Sequence, residues 1–121
     1  MALDTVTDSM TPDGLILAGA QYLTKAEIID TGDLARGTVL GKITASGKCI
    51  TSLSAATDGS EVPYGILLED ANATSADKVA PVLIAGEVDG SKLTVGTGHT
   101  VASITDGLRD KGIYIRTVAA V

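Results

Sequence analysis

Turn-forming residues divide this chain into segments too short for ordinary helices, and their spacing limits the fold more than any other feature. From residue 23 onward, runs rich in Val, Ile, Leu and Thr occupy 23–29, 37–44, 48–53, 64–68, 79–88, 92–95 and 113–118. Between them, Gly, Asp, Asn and Ser cluster at 30–33, 46–47, 57–60, 72–77 and 89–90. These residues supply the turn conformations that β-branched side chains avoid. Short β-branched runs at close spacing are the pattern of a mainly β domain, not of alternating strand and helix units.

The clearest local unit is Arg36-Gly37-Thr38-Val39-Leu40-Gly41-Lys42-Ile43-Thr44, a turn at Ser46-Gly47, and Lys48-Cys49-Ile50-Thr51. Alternation puts Val39, Gly41 and Ile43 on one face and Thr38, Leu40, Lys42 and Thr44 on the other, so the segment reads as a β-hairpin with Cys49 on its second strand. One helix is expected, over residues 104–111, with Ser103 or Thr105 as its cap and Gly112 ending it. Gly107 weakens that helix by about 1 kcal/mol relative to Ala. Residues 1–22 carry scattered Thr, Asp and Ser with Pro12 and Gly14 and keep no helical or strand period. They are expected to form an extended arm, mobile at its start because it offers too little apolar surface to offset the entropy of ordering. Residues 23–121 then form one β-rich domain.

Composition removes several function classes. Fifteen acidic against nine basic residues give a net charge of −6, which repels phosphate backbones, and no local Lys/Arg cluster offsets it. Nucleic acid is not an expected partner. The apolar stretches at 15–20 and 79–85 fall short of the roughly 20 residues that span a bilayer, and no basic segment precedes a signal-like core. The chain is therefore expected to be soluble, without membrane contact or an export signal of its own. A single cysteine excludes an internal disulfide. With no Phe or Trp and three Tyr, the protein must bind by backbone, shape or repetition and not through large aromatic anchors.

Candidate chemistry is sparse. Gly96-Thr97-Gly98-His99-Thr100-Val101 precedes the expected helix but lacks the third glycine of a dinucleotide fingerprint and the Gly-Lys-Ser/Thr of a phosphate loop. It reads as a turn. His99 has no second His or Cys at a metal-ligand spacing and is expected to be a solvated loop residue. Cys49, on a strand, is expected to be a small buried hydrophobe and not a nucleophile. Asp106 and Asp110 read as a solvated helix face relieved by Arg109 and Lys111. Asp77-Lys78-Val79 resembles the modified-lysine turn of lipoyl and biotinyl carrier domains, yet Lys78 follows a long loop and is out of their order relative to the hairpin. No catalytic, metal or cofactor site is expected.

The segment 56–67, Ala-Thr-Asp-Gly-Ser-Glu-Val-Pro-Tyr-Gly-Ile-Leu, resembles the head-decoration proteins of tailed phages. The similarity extends through Arg36 to Lys42, Ala85-Gly86-Glu87-Val88, Gly98 to Ser103 and Gly112-Ile113-Tyr114-Ile115, and covers residues 36–121. The resemblance implies a β-clip-like small barrel or sandwich and a homotrimer at three-fold and quasi-three-fold positions on the outside of the expanded head. It further implies binding to the major capsid protein, stabilisation against packaged DNA, no enzyme activity, and synthesis in the host bacterial cytoplasm. Position alone carries over the role of the arm, with Asp4, Thr5, Val6, Thr7, Met10, Leu15, Ile16 and Leu17 expected to meet the capsid. An apolar trimer interface is expected to include Leu93, Val95, Ile113 and Ile115. A β-rich accessory protein of a phage tail or fibre is the alternative, with a carrier domain more distant.

Overall fold

A computed structural model describes residues 15–17 and 21–116 and is mainly β. The elements are β1 (Leu23–Ile29), β2 (Asp33–Leu34), β3 (Val39–Lys42), β4 (Cys49–Thr51), β5 (Pro63–Leu67), β6 (Ala71–Asn72), β7 (Lys78–Asp89), α1 (Val101–Asp110) and β8 (Ile113–Arg116). Strand order β1-β4-β3-β5-β7 closes on itself through the antiparallel β1–β7 ladder, giving a small five-stranded barrel. Closure satisfies strand edges that would otherwise invite pairing with other chains. The short β2–β6 ladder forms a separate two-stranded sheet.

At 12 residues, β7 is the spine of the molecule. Its first part pairs with β1, from Ile29 opposite Lys78 to Leu23 opposite Ala85, and with β5 at Leu67 opposite Val82. Its last part runs parallel to β8, from Gly86 opposite Ile113 to Asp89 opposite Arg116. One strand thereby serves both the barrel and the layer beside it.

Strand alternation produces two apolar cores on either side of the β3-β5-β7 wall. Inside the barrel, Ile29, Leu40, Cys49, Leu67, Ala80 and Val82 pack together. On the wall's outer side, Val39, Ile66 and Leu83 are aligned by register and covered by Ile104 and Leu108 of α1, with Val88 and Ile113. Each fully buried aliphatic contributes about 1.5–3 kcal/mol, so two cores stand in for the missing aromatic rings. The expected hairpin forms with Leu40 opposite Thr51 and Lys42 opposite Cys49. Gly47 adopts φ +75° at its turn, a conformation that β-branched residues resist.

Several local expectations change. Residues 92–95 are not a strand: residues 90–92 make a 3₁₀ turn because the Asp89 carboxylate accepts from the Ser91 amide at 2.9 Å and hydroxyl at 2.8 Å. Thr94 keeps only an isolated bridge to Thr38. The helix begins three residues earlier than expected. Thr100 is its cap and Ser103 closes a reciprocal capping box, whereas the Thr105 hydroxyl donates back to the Val101 carbonyl within the helix. Segments 30–33 and 72–77, expected only as turns, also supply β2 and β6.

Candidate functional site

The N-terminal segment meets the domain along β7. The Asp89 amide donates to the Leu15 carbonyl at 2.9 Å, the Leu17 amide donates to the Glu87 carbonyl at 3.2 Å, and Ile16 stands opposite Val88. Downstream, β1 continues along the same edge of β7. Leu15 and Ile16 are 1% and 3% exposed and belong to the core beneath α1, and Leu17 is half-buried. Leu15 and Ile16, expected among the residues that meet a capsid, are taken up by the protein's own core, whereas Leu17 keeps part of its surface. Residues 15–17 are an anchor. Asp4, Thr5, Val6, Thr7 and Met10 lie outside the described residues.

The four residues expected at a trimer interface are drawn largely inward. Ile113 is fully buried between β7 and α1, and Leu93, Val95 and Ile115 pack half-buried against the same core. Ile113, expected at a trimer interface, thus lies in the core of the single chain. Among the described residues, the large apolar side chains that do reach solvent are Leu23, Ile28, Leu53, Val62, Val79 and Tyr114. Ile28 and Val79 face each other across the β1–β7 ladder and form an uncovered patch on the barrel.

That patch follows from an inversion in β1. Glu27, not Ile28, points toward the barrel, where it is only 6% exposed. Its carboxylate accepts a hydrogen bond from the Tyr64 hydroxyl and lies 3.5 Å from the Lys42 ammonium and 3.6 Å from that of Lys25. Lys42 also sits 4.8 Å above the Tyr64 ring. A buried carboxylate persists only with such partners. Burial, then the Glu27 carboxylate, pushes Tyr64 up to about 12. The cluster is a closed network of charges and hydrogen bonds at one end of the barrel.

Cys49 lies where its strand position predicts, fully buried, and burial pushes its thiol up to about 11. At neutral pH it is an unreactive thiol. His99, expected in solvent, is instead a half-buried clasp. Its Nε2 lies 3.0 Å from the Glu61 carbonyl and 3.3 Å from the Ser52 hydroxyl, and its Nδ1 lies 3.3 Å from the Ser103 hydroxyl. A carbonyl only accepts, so the Nε2 nitrogen carries the proton and cannot take one from Ser52 as a general base would. His99 ties two loops to the start of α1. Lys78 opens β7 opposite Ile29 and does not occupy a hairpin tip, unlike a carrier lysine. No cluster of three metal-ligating side chains occurs among the described residues, and no helix is long and apolar enough to cross a membrane.

No curated protein matches the chain significantly. The family described as Bacteriophage lambda head decoration protein D matches residues 5–113, taking in the anchor, the whole barrel and α1. With most of its length matched, the chain belongs to the bacteriophage lambda head decoration protein D family, structural proteins of the phage head.

Proposed function

We propose that this protein cements the expanded phage head: it binds as a homotrimer at three-fold and quasi-three-fold positions of the outer surface, joins copies of the major capsid protein, and resists the pressure of packaged DNA. The family match over residues 5–113 carries this reading. The anchor at residues 15–17 supports a division of labour in which residues 1–14, including Asp4, Thr5, Val6, Thr7 and Met10, meet the capsid, and the domain from Leu15 onward holds them in place. Residues 5–7, Thr-Val-Thr, suit an added strand that lends backbone N–H and C=O groups to a sheet edge of the capsid protein. Synthesis in the host cytoplasm suits a single buried thiol, and a net charge of −6 keeps the protein off the genome.

One such contact is weak after the cost of ordering the segment. Three arms joined in a trimer gain avidity of roughly 10² to 10⁴, so marginal contacts become a tight clamp. Stabilisation of the expanded shell requires a difference in affinity between shell states, since equal affinity shifts nothing.

Co-sedimentation with heads tests the reading. The full chain pellets with DNA-filled expanded heads and not with unexpanded shells or isolated tails. A chain lacking residues 1–14 keeps Leu15 and Ile16, stays folded, and remains in the supernatant. Normal decoration by the truncated chain, or equal binding to both shell states, overturns the proposal.

A further inference from the structure

Residues 15–17, the end of β7 and β8 form a small three-stranded sheet. Ile16 stands opposite Val88, while Glu87 and Asp89 stand opposite Tyr114 and Arg116. One row across the sheet is Ile16, Val88 and Ile115, and it faces the core beneath α1. Strand alternation turns Tyr114 and Arg116 to the opposite side. The Arg116 guanidinium, 3.0 Å from the Glu87 carboxylate, places Glu87 there with them.

Tyr114 distinguishes that side from the rest of the surface. The chain has three tyrosines and no Phe or Trp. Tyr22 packs against the core beneath α1, and the Tyr64 hydroxyl is bound to Glu27. Tyr114 is 49% exposed. A tyrosine ring offers a large contact area for little loss of rotamer freedom, which is why it recurs among the residues that dominate interfaces. Charge does not oppose contact here. In a chain of net charge −6, Glu87 and Arg116 neutralise each other beside the ring.

The course of the chain selects what covers this side. Residues 15–17 run antiparallel to β7 and β8 runs parallel to it, so the chain enters at Leu15 and passes on from Arg116 at the same end of the sheet. From Thr7 to Leu15 the chain spans at most about 28 Å when fully extended. Tyr114 lies two strand spacings from residues 15–17, about 10 Å. A surface that holds residues 5–7 is therefore kept near Tyr114. Val79, the most exposed of the large apolar side chains, is about 26 Å farther along β7 from Glu87.

We propose that the side of this sheet bearing Tyr114, Glu87 and Arg116 is a second contact with the major capsid protein, with the Tyr114 ring seated in an apolar recess of that protein. The assignment rests on the capsid reading above and adds to it a contact made by the folded domain. The arm supplies reach, and Tyr114 supplies a fixed point. Once the ring is seated, binding of the arm becomes an intramolecular step at high effective concentration.

Co-sedimentation of full-length chains with stripped, expanded heads over a range of protein concentration tests the contact, with thermal unfolding and sedimentation equilibrium in solution as controls. Tyr114→Ala keeps the wild-type Tm and solution mass and raises the apparent dissociation constant from heads at least about tenfold. Tyr114→Phe keeps the ring and stays within about threefold of wild type. Wild-type affinity for Tyr114→Ala, beside a chain lacking residues 1–14 that fails to bind, overturns the contact and leaves the arm reading standing. A Phe variant as weak as the Ala variant overturns the seating of the ring. A fall in the solution mass of Tyr114→Ala shows that the ring packs against a second copy, which also overturns the assignment. A wild-type chain that never pellets with heads overturns both readings.

Discussion

Leu15 gives the most direct measure of whether the start of the chain is structural. Its side chain is 1% exposed, touches the core beneath α1, and belongs to a segment fixed by backbone hydrogen bonds of 2.9 and 3.2 Å to β7. Leu15→Ala removes buried methyl groups and leaves a cavity, which costs about 2–5 kcal/mol according to how far the site collapses. The whole domain is worth about 5–15 kcal/mol, so the substitution takes a large share of it. For a chain of 121 residues each kcal/mol lowers Tm by about 3–6 °C, and a fall of at least about 6 °C is expected. Deleting residues 1–14 should cost under about 1 kcal/mol, while deleting 1–17 also removes Ile16 and exposes the core it covers. Urea unfolding followed by circular dichroism separates the three chains through their midpoints. A cost below about 1 kcal/mol for Leu15→Ala, or equal midpoints for the two deletions, would refute the anchor.

Other substitutions probe the barrel and the helix. A Cβ at Gly41 would lie 1.9 Å from the Ser60 carbonyl oxygen, so Gly41→Ala must displace backbone and should cost several kcal/mol, about 2 or more by chemical denaturation. Thr100→Ala removes the α1 cap and should cost about 1 kcal/mol, whereas Arg109→Ala, which loses an exposed pair to Asp106, should change stability by less than about 0.5 kcal/mol. Cys49 titrates from 9.0 in the unfolded chain to about 11 in the folded one, so the folded state holds its proton more tightly. The resulting stability is complete below pH 9 and is lost as pH rises through 11, at most about 3 kcal/mol. Tyr64, pushed up to about 12, extends the loss above pH 10. Denaturation curves at several pH values should show a shallower fall between pH 9 and 11 for Cys49→Ala, and equal slopes for the two proteins would contradict the assignment.

Local signals were legible where the physics was local. The bounds of β1, the hairpin through Gly47 and the glycine after α1 all follow from turn chemistry and alternation within a few residues. The helix start was harder because Thr100, Ser103 and Thr105 are all capping residues, and only the fold shows that Ser103 is the reciprocal partner at the third helical position. Two-residue strands such as β2 and β6 carry no period at all. The role of Leu15 and Ile16 was invisible for a different reason: their partner strand lies some 70 residues away, and pairing over that separation leaves no local trace, though the apolar triplet Leu15-Ile16-Leu17 was a hint. In β1 the usual rule misleads outright, because Lys25, Lys42 and Tyr64 draw Glu27 inward and turn Ile28 out. The uncovered face therefore arises from the contents of the barrel, which alternation alone cannot foretell.

The path of residues 15–17 also sets how the molecule answers force. They lie antiparallel to the end of β7, and β1 continues down the same strand. A tug on the chain ahead of Leu15, directed along the strand axis, loads the two backbone bonds and the buried Leu15 and Ile16 side chains in shear, so that they must yield together and not one after another. Resistance of that kind is set by the unfolding rate and not by equilibrium stability. A domain of modest thermodynamic stability can thus hold a strained tether far longer than its free energy of folding would suggest.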